Sequence, residues 1–209
     1  MNRNAIARKF SRFATNAVVA RPRAWGVFRR PIQRIFDSLA PQWDTIRRPD
    51  HLAVYERALD ALPAPPIHAL DLGTGTGDGA LAIARKFPSA EVLGVDLADG
   101  MVAAARRKVD GEAGAHVRFE QADASKLPYG DGSFDLVAHA NMIPFFDELA
   151  RVTRSGGHAL FAFSGGAETP IYVPFERLRS ELVRRGFTDF AEFEVAPGIA
   201  LLARKEQTT

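Results

Sequence analysis

Beyond residue 66 the chain alternates between two hydrophobic rhythms. Short, nearly unbroken apolar runs read as buried strands, and the stretches between them carry apolar residues at helical three- and four-residue spacing. The first run is Ile67 to Leu72. It breaks at Gly73, Gly75 and Gly77, and a helix follows with Leu81, Ile83 and Ala84 on its apolar side. Phe87-Pro88-Ser89 stops that helix. Glu91 to Asp96 is a second strand. Gly100 to Val109 is a helix with Met101, Val102 and Ala105 on one face, closed by Gly111 and Gly114. His116 to Glu120 alternates as a third strand, and Phe134 to Ala140 is a fourth. Pro144 to Val152 is a helix, with Pro144 suited to its first turn. Ser155-Gly156-Gly157 turns the chain into a fifth strand, Ala159 to Phe163, and Phe175 to Arg185 is a helix closed by Gly186. The last two runs, Phe190 to Val195 and Ile199 to Ala203, are joined by only Ala196-Pro197-Gly198. That is too short for a crossover helix, so these strands are antiparallel. The pattern predicts a doubly wound α/β fold. Its sheet is seven-stranded and mostly parallel, with an antiparallel C-terminal strand.

The first 65 residues follow another rule. Phe10, Phe13, Val18, Val19, Trp25 and Phe28 are interleaved with arginines, and the first acid is Asp37. Pro31 to Leu62 reads as helix in two pieces, broken around Pro41 and Pro49. Pro63, Pro65 and Pro66 then make a stiff linker. This divides the chain into a basic helical segment or cap, 1–65, and a cofactor-binding domain, 66–209. The net charge of +2 hides the division: Met1 to Arg57 holds twelve Lys/Arg and four Asp/Glu, leaving fifteen and twenty-one for the rest. The Arg-rich segment fits a solvated helix, a basic surface for an anionic membrane or acidic partner, or a transit peptide. No recognition motif accompanies the charges, so no nucleic acid is expected. The chain has no cysteine, which excludes disulfide scaffolds, thiolate metal sites and cysteine nucleophiles. No apolar run approaches the roughly 18–20 residues that span a bilayer, and the first thirty residues lack a secretory apolar core. The expected location is cytoplasmic, at most peripheral to a membrane.

The strand, glycine turn and helix at residues 67–84 open a nucleotide-binding unit. Asp96 ends the next strand about twenty residues on, where a carboxylate accepts from both hydroxyls of a ribose. Asp123, after the third strand, is placed to accept from an adenine amino group, and Met101 to pack on its face. Gly75-Thr76-Gly77-Asp78-Gly79-Ala80 also fits a loose dinucleotide pattern. Against a nicotinamide enzyme stand Asp71, two residues before the first glycine, and a closing hairpin that leaves no separate substrate domain.

These marks taken together resemble a class I S-adenosylmethionine-dependent methyltransferase, of the kind that includes quinone-ring and other small-molecule methyltransferases. They are Leu70 to Gly77, Val95-Asp96-Leu97 with Met101, Ala122-Asp123-Ala124 with Leu127-Pro128, Ser133 to Val137, and Glu148 to Gly157. The resemblance covers roughly Ile67 to Lys205. It implies a Rossmann-like methyltransferase fold that binds S-adenosyl-L-methionine. The glycine turn (Asp71, Gly73, Thr74, Gly75, Gly77) would face the methionine half. Asp96 and Leu97 would hold the ribose, and Asp123 and Ala124 the adenine. His139 to Met142, Asn141 among them, would line the methyl-transfer site. Phe36-Asp37 and Trp43-Asp44 resemble the helix that closes over the cofactor in quinone-type members. The segments after the fourth and fifth strands are shorter than the family often has, and Asn141 to Phe145 is not the contiguous Asn-Pro-Pro-aromatic motif of base and glutamine methyltransferases. The implied reaction is in-line methyl transfer to a small-molecule acceptor. His139 is the candidate general base if the acceptor keeps a proton. No metal-ligand cluster stands out. A non-catalytic S-adenosylmethionine-binding or interaction protein is the alternative. No motif names the acceptor.

Overall fold

The computed structural model describes residues 3–109 and 116–207. Its strands are β1 (His68–Leu72), β2 (Glu91–Asp96), β3 (Val117–Gln121), β4 (Phe134–Ala140), β5 (Thr153–Phe163), β6 (Phe187–Val195) and β7 (Gly198–Lys205). They form one sheet in the order β3-β2-β1-β4-β5-β7-β6. The pairings from β3 to β5 are parallel, and β7 runs antiparallel between β5 and β6. The seven-stranded, mostly parallel reading therefore holds.

Alternation along the strands sends side chains to two cores. Ala69, Leu136, Ala138 and Leu160 face one side, where α4 (Ala53–Leu59), α5 (Asp78–Lys86) and α6 (Asp99–Arg106) pack. Leu70, Leu72, Val137 and Phe161 face the other, covered by α7 (Phe146–Val152) and α8 (Phe175–Val183). The start of β1 is fixed by Asp135, which accepts from the backbone N–H groups of Ile67 and His68 at 2.7 and 2.6 Å and pairs with Arg154 at 2.5 Å.

Three details depart from the sequence reading. Gly156 and Gly157 do not precede the fifth strand but lie inside β5. Gly156 sits at φ +76°, and the β4–β5 register shifts between Phe134 and Leu136, so the glycines form a bulge that lets the strand continue. Pro31 does not begin a new segment, because it lies within α2 (Trp25–Leu39). The helical stretch before the proline linker is divided in its packing: Val54, Tyr55, Ala58 and Leu59 of α4 are buried in the sheet core. Ahead of α4, α1 (Arg3–Ala20), α2 and the short α3 (Trp43–Ile46) contribute the side chains that reach the C-terminal edge of the sheet. The helix closure expected at Gly111 and Gly114 lies outside the described residues.

Candidate functional site at the C-terminal edge of the sheet

The glycine turn is held from below by a buried carboxyl. Asp71 is 2% exposed and accepts from the Tyr55 hydroxyl at 3.1 Å and the Thr74 hydroxyl at 2.7 Å. Burial pushes its pKa up to about 6, against the pull of those hydrogen bonds. A Cβ on Gly79 would stand 2.8 Å from both Asp71 oxygens, so the first turn of α5 approaches the carboxyl only because residue 79 has no side chain. The turn is also strapped to β2, through Thr74 N–H on the Val95 carbonyl at 2.9 Å. Gly73 and Gly75 take φ of +63° and +56°, a region unfavourable to residues with a Cβ.

Two acids follow at successive strand ends. Asp96 closes β2 and accepts from the backbone N–H groups of Gly75 and Ala98, both at 2.9 Å. Burial raises its pKa, with the charge of Asp37 adding to it and the two backbone bonds opposing it. Asp123 lies just past β3. It accepts from the Trp25 indole N–H at 2.9 and 3.2 Å and from Ser125 N–H at 2.9 Å, and it pairs with Arg29 at 3.3 Å. Burial would raise it, but the Ser125, Trp25 and Arg29 hydrogen bonds hold it below the usual carboxylate value. Leu97 and Ala124 are half-buried beside Trp25, Ile143 and Phe145. Met101 is fully buried and packs with Ala40, Ala98 and the partly buried Phe36, Leu39 and Trp43.

The residues after β4 are placed differently. His139 has no exposed surface, and its ring stands edge-on to Phe161 with centroids 4.5 Å apart. Neither ring nitrogen has a hydrogen-bond partner, and burial lowers the pKa to about 3. Asn141 sits at φ +53°. Its amide donates to the Ser164 hydroxyl and its oxygen accepts from Ser164 N–H, both at 2.9 Å. Met142 lies on the glycine turn: a Cβ on Gly73 would come within 2.6 Å of its sulfur.

Sequence reasoning missed the partners that the N-terminal helices supply. Trp25, Phe28, Ile32, Phe36 and Leu39 form a stripe at three- and four-residue spacing, a signal that could have marked α2 as a packing helix. Trp43 lies over Gly75, where a Cβ would be 3.2 Å from its indole nitrogen. Asp37 accepts from Gly100 N–H at 2.9 Å. Beside the turn a polar network joins Asp44, Arg47, Thr76, Asp78 and Lys108. Arg47 bonds Asp44, reaches Asp78 at 2.6 Å and donates to Thr76 at 2.8 Å, while Lys108 reaches Asp44 at 2.7 Å and Asp78 at 2.8 Å. Burial opposes ionisation of Asp78, but His51 3.4 Å away, the Lys108 hydrogen bond and the Arg47 charge hold its pKa far below the usual value. Nothing in local periodicity pairs residues so distant in sequence.

The functional groups suit an adenosine ligand with an aliphatic tail. Acceptors stand at two strand ends, apolar Leu97 and Ala124 follow them in the chain and share one cluster, and the turn offers side-chain-free backbone at its glycines. The chain's own Trp43 and Met142 lie where such a ligand would approach the turn.

Residues 69–157 match the protein family described as "Methyltransferase domain". Over these residues the chain is similar to a methyltransferase domain, which agrees with the resemblance its motifs carry. The demethylmenaquinone methyltransferase of Thermus thermophilus is 42% identical over 135 residues, which cover 59% of this chain and 61% of that protein. The ubiquinone/menaquinone biosynthesis C-methyltransferase of Geobacter sulfurreducens is 35% identical over 168 residues, covering 74% and 61%. The chain thus spans about three-fifths of the length of these curated relatives. The methyltransferase fold recurs in solved structures of low identity. A SAM-dependent methyltransferase from Aquifex aeolicus superimposes with TM-score 0.65 at 20% identity, over 79% of this chain and all but a little (97%) of that one. The [4+2]-cyclase SpnF superimposes with TM-score 0.67 at 19% identity, over 85% and 96%. The methyltransferase fold therefore does not by itself name a reaction. Among the described residues no group of three or more His, Asp or Glu is arranged to hold a metal, and no helix is long and apolar enough to cross a membrane.

Proposed function

We propose that this chain transfers a methyl group from S-adenosylmethionine to a small-molecule acceptor, and that the acceptor is a quinone-type ring, as the names of its relatives state for them. The observation that carries the reading is the joining of the glycine turn to the second strand end, Gly75 N–H to Asp96 at 2.9 Å, with Asp123 one strand further along the same edge. In this reading Asp96 holds the ribose hydroxyls, Asp123 and Ala124 the adenine, and Met101 and Leu97 line the ring. Asp71 acts from beneath, keeping the turn in shape. When bound, the donor supplies a methyl already activated on a sulfonium, so positioning and exclusion of water can supply most of the rate. We place His139 in the core rather than in the chemistry, because a buried imidazole with a pKa of about 3 is a poor proton acceptor. Asn141, tied to Ser164, shapes the loop after β4. The division between cap and cofactor-binding domain belongs to the same proposal, with α4 packed as part of the latter.

The basic segment supports a second element of this reading, contact with an anionic membrane surface that would present a lipophilic acceptor. Phe13 and Val27 are 64% and 73% exposed beside the exposed Arg21, Arg23, Arg30 and Arg34.

The test of the donor assignment is calorimetric titration with S-adenosylmethionine and S-adenosylhomocysteine, followed by mass analysis of products formed from a demethylated quinone. We expect binding of both ligands and a product heavier by one methylene. Asp96→Ala should weaken binding by about tenfold or more, as expected for losing hydrogen bonds to a charged acceptor. Failure of either ligand to bind the folded chain would refute the assignment.

A further inference from the structure

The carboxylate assigned to adenine is already in use. Asp123 receives the Trp25 indole N–H on both oxygens, at 2.9 and 3.2 Å, and the Arg29 guanidinium at 3.3 Å. An indole N–H and an adenine amino N–H are planar donors of the same kind, and one carboxylate cannot serve both in the same direction. We propose that the corner where α1 meets α2 is a displaceable plug: Trp25 and Arg29 compete with the adenine amino group for Asp123. Cofactor entry and withdrawal of this corner are then one coupled event. The proposal rests on the methyl-donor reading above and adds to it a regulation of the same site.

Three further observations support the coupling. First, the plug extends along the cleft: α2 packs on the fully buried Met101 through Phe36 and Leu39, and Trp43 covers Gly75. Second, there is room to withdraw. A cavity of about 830 Å³ lies beside the corner, and Trp25, Arg29 and Asp123 all line it with Phe145 and Glu148. The indole, edge-on to Phe145 at 5.0 Å, can turn toward this space without unpacking the sheet core. Third, among the described residues the side-chain hydrogen bonds that tie α1 to the body of the protein lie at its edge. Arg8 and Arg12 donate to the backbone carbonyls of Ala167, Glu168 and Thr169. Bonds at an exposed edge open at low free energy. A site whose competent state is only partly populated binds its ligand more weakly by that fraction, and weakening the plug restores the affinity.

The experiment titrates S-adenosylhomocysteine into the full chain and into Trp25→Phe and Arg29→Gln. The phenyl ring keeps an aromatic face toward Phe145 while removing the competing N–H together with part of the indole's bulk. The Arg29 side chain is exposed, so its replacement is tolerated by the fold. We expect about three- to tenfold tighter binding for Trp25→Phe, the scale of one hydrogen bond to a charged group discounted for the new bond made by adenine. A smaller gain, about twofold, is expected for Arg29→Gln, as for a partly exposed ion pair. Amide hydrogen exchange across residues 16–30 should rise on adding the ligand. Unchanged, weaker or absent binding by Trp25→Phe when the parent chain binds would overturn the plug and leave the donor reading standing. Absence of binding by the folded parent and by both variants would instead overturn the donor reading, and the plug with it.

Discussion

Single side chains here are used in ways their residue types do not announce. Asp71 and His139 are both buried and titratable, and their effects on stability run in opposite directions. The folded-state pKa of Asp71, about 6, lies above its ordinary value, so its contribution is present below that value and is lost as pH rises through 6. That of His139, about 3, lies below the ordinary 6.5. The unfolded chain then takes up a proton that the folded chain refuses, and stability falls as pH drops from about 6.5 toward 3. His139→Leu removes the second effect alone. We expect its thermal midpoint at pH 7 to match or exceed the parent's, since two unpartnered ring nitrogens leave the core. By pH 4.5 the variant should lead by about 2–3 kcal/mol. Denaturant melts across this range check it, and parallel pH profiles would show that the imidazole is not held neutral.

At the scale of elements, α4 and α1 share the N-terminal third of the chain but hold different places. Leu59 of α4 is 1% exposed in the same core as β1 and β4, whereas Phe13 of α1 is 64% exposed. Leu59→Ala should cost about 2–4 kcal/mol of global stability through lost transfer energy and a cavity. Phe13→Ala should cost under about 1 kcal/mol. Urea unfolding measures both, and equal costs would contradict the packing. The strand and helix ranges from His68 to Asp96 and the whole of β4 were legible because periods of two and of three to four residues differ sharply over runs of that length. The interior of β5 was misread because Gly156-Gly157 carries turn chemistry, and only pairing with β4 shows it to be a bulge. α4 was grouped with the cap because the proline run after it looks like a boundary. Proline reports backbone stiffness and says nothing about which surface the preceding helix covers.

For the whole molecule, charge is segregated: the surplus of arginine lies in the N-terminal segment and the surplus of acid in the α/β body. Replacing Arg21, Arg23, Arg30 and Arg34 together by Gln should reduce partition onto vesicles of mixed neutral and anionic phospholipid by at least tenfold, since each arginine near such a surface contributes about 1 kcal/mol. Raising salt should weaken the parent's binding and narrow the difference. Sedimentation of vesicles with the protein reads the outcome, and undiminished binding by the variant, or salt-insensitive binding by the parent, would refute the membrane proposal.

The sequence alone was enough for the α/β class, the seven strands, the antiparallel close and the positions of Asp71, Asp96 and Asp123 at strand ends. Each depends on local periodicity, or on the fact that parallel strands bring their C-terminal ends to one edge. Tertiary structure alone decided what those groups meet. Asp123 faces Trp25, 98 positions away in sequence; Gly75 lies under Trp43; and His139 turns into the core rather than the cleft. Such contacts join segments with no shared period, and they are chosen by how whole layers pack.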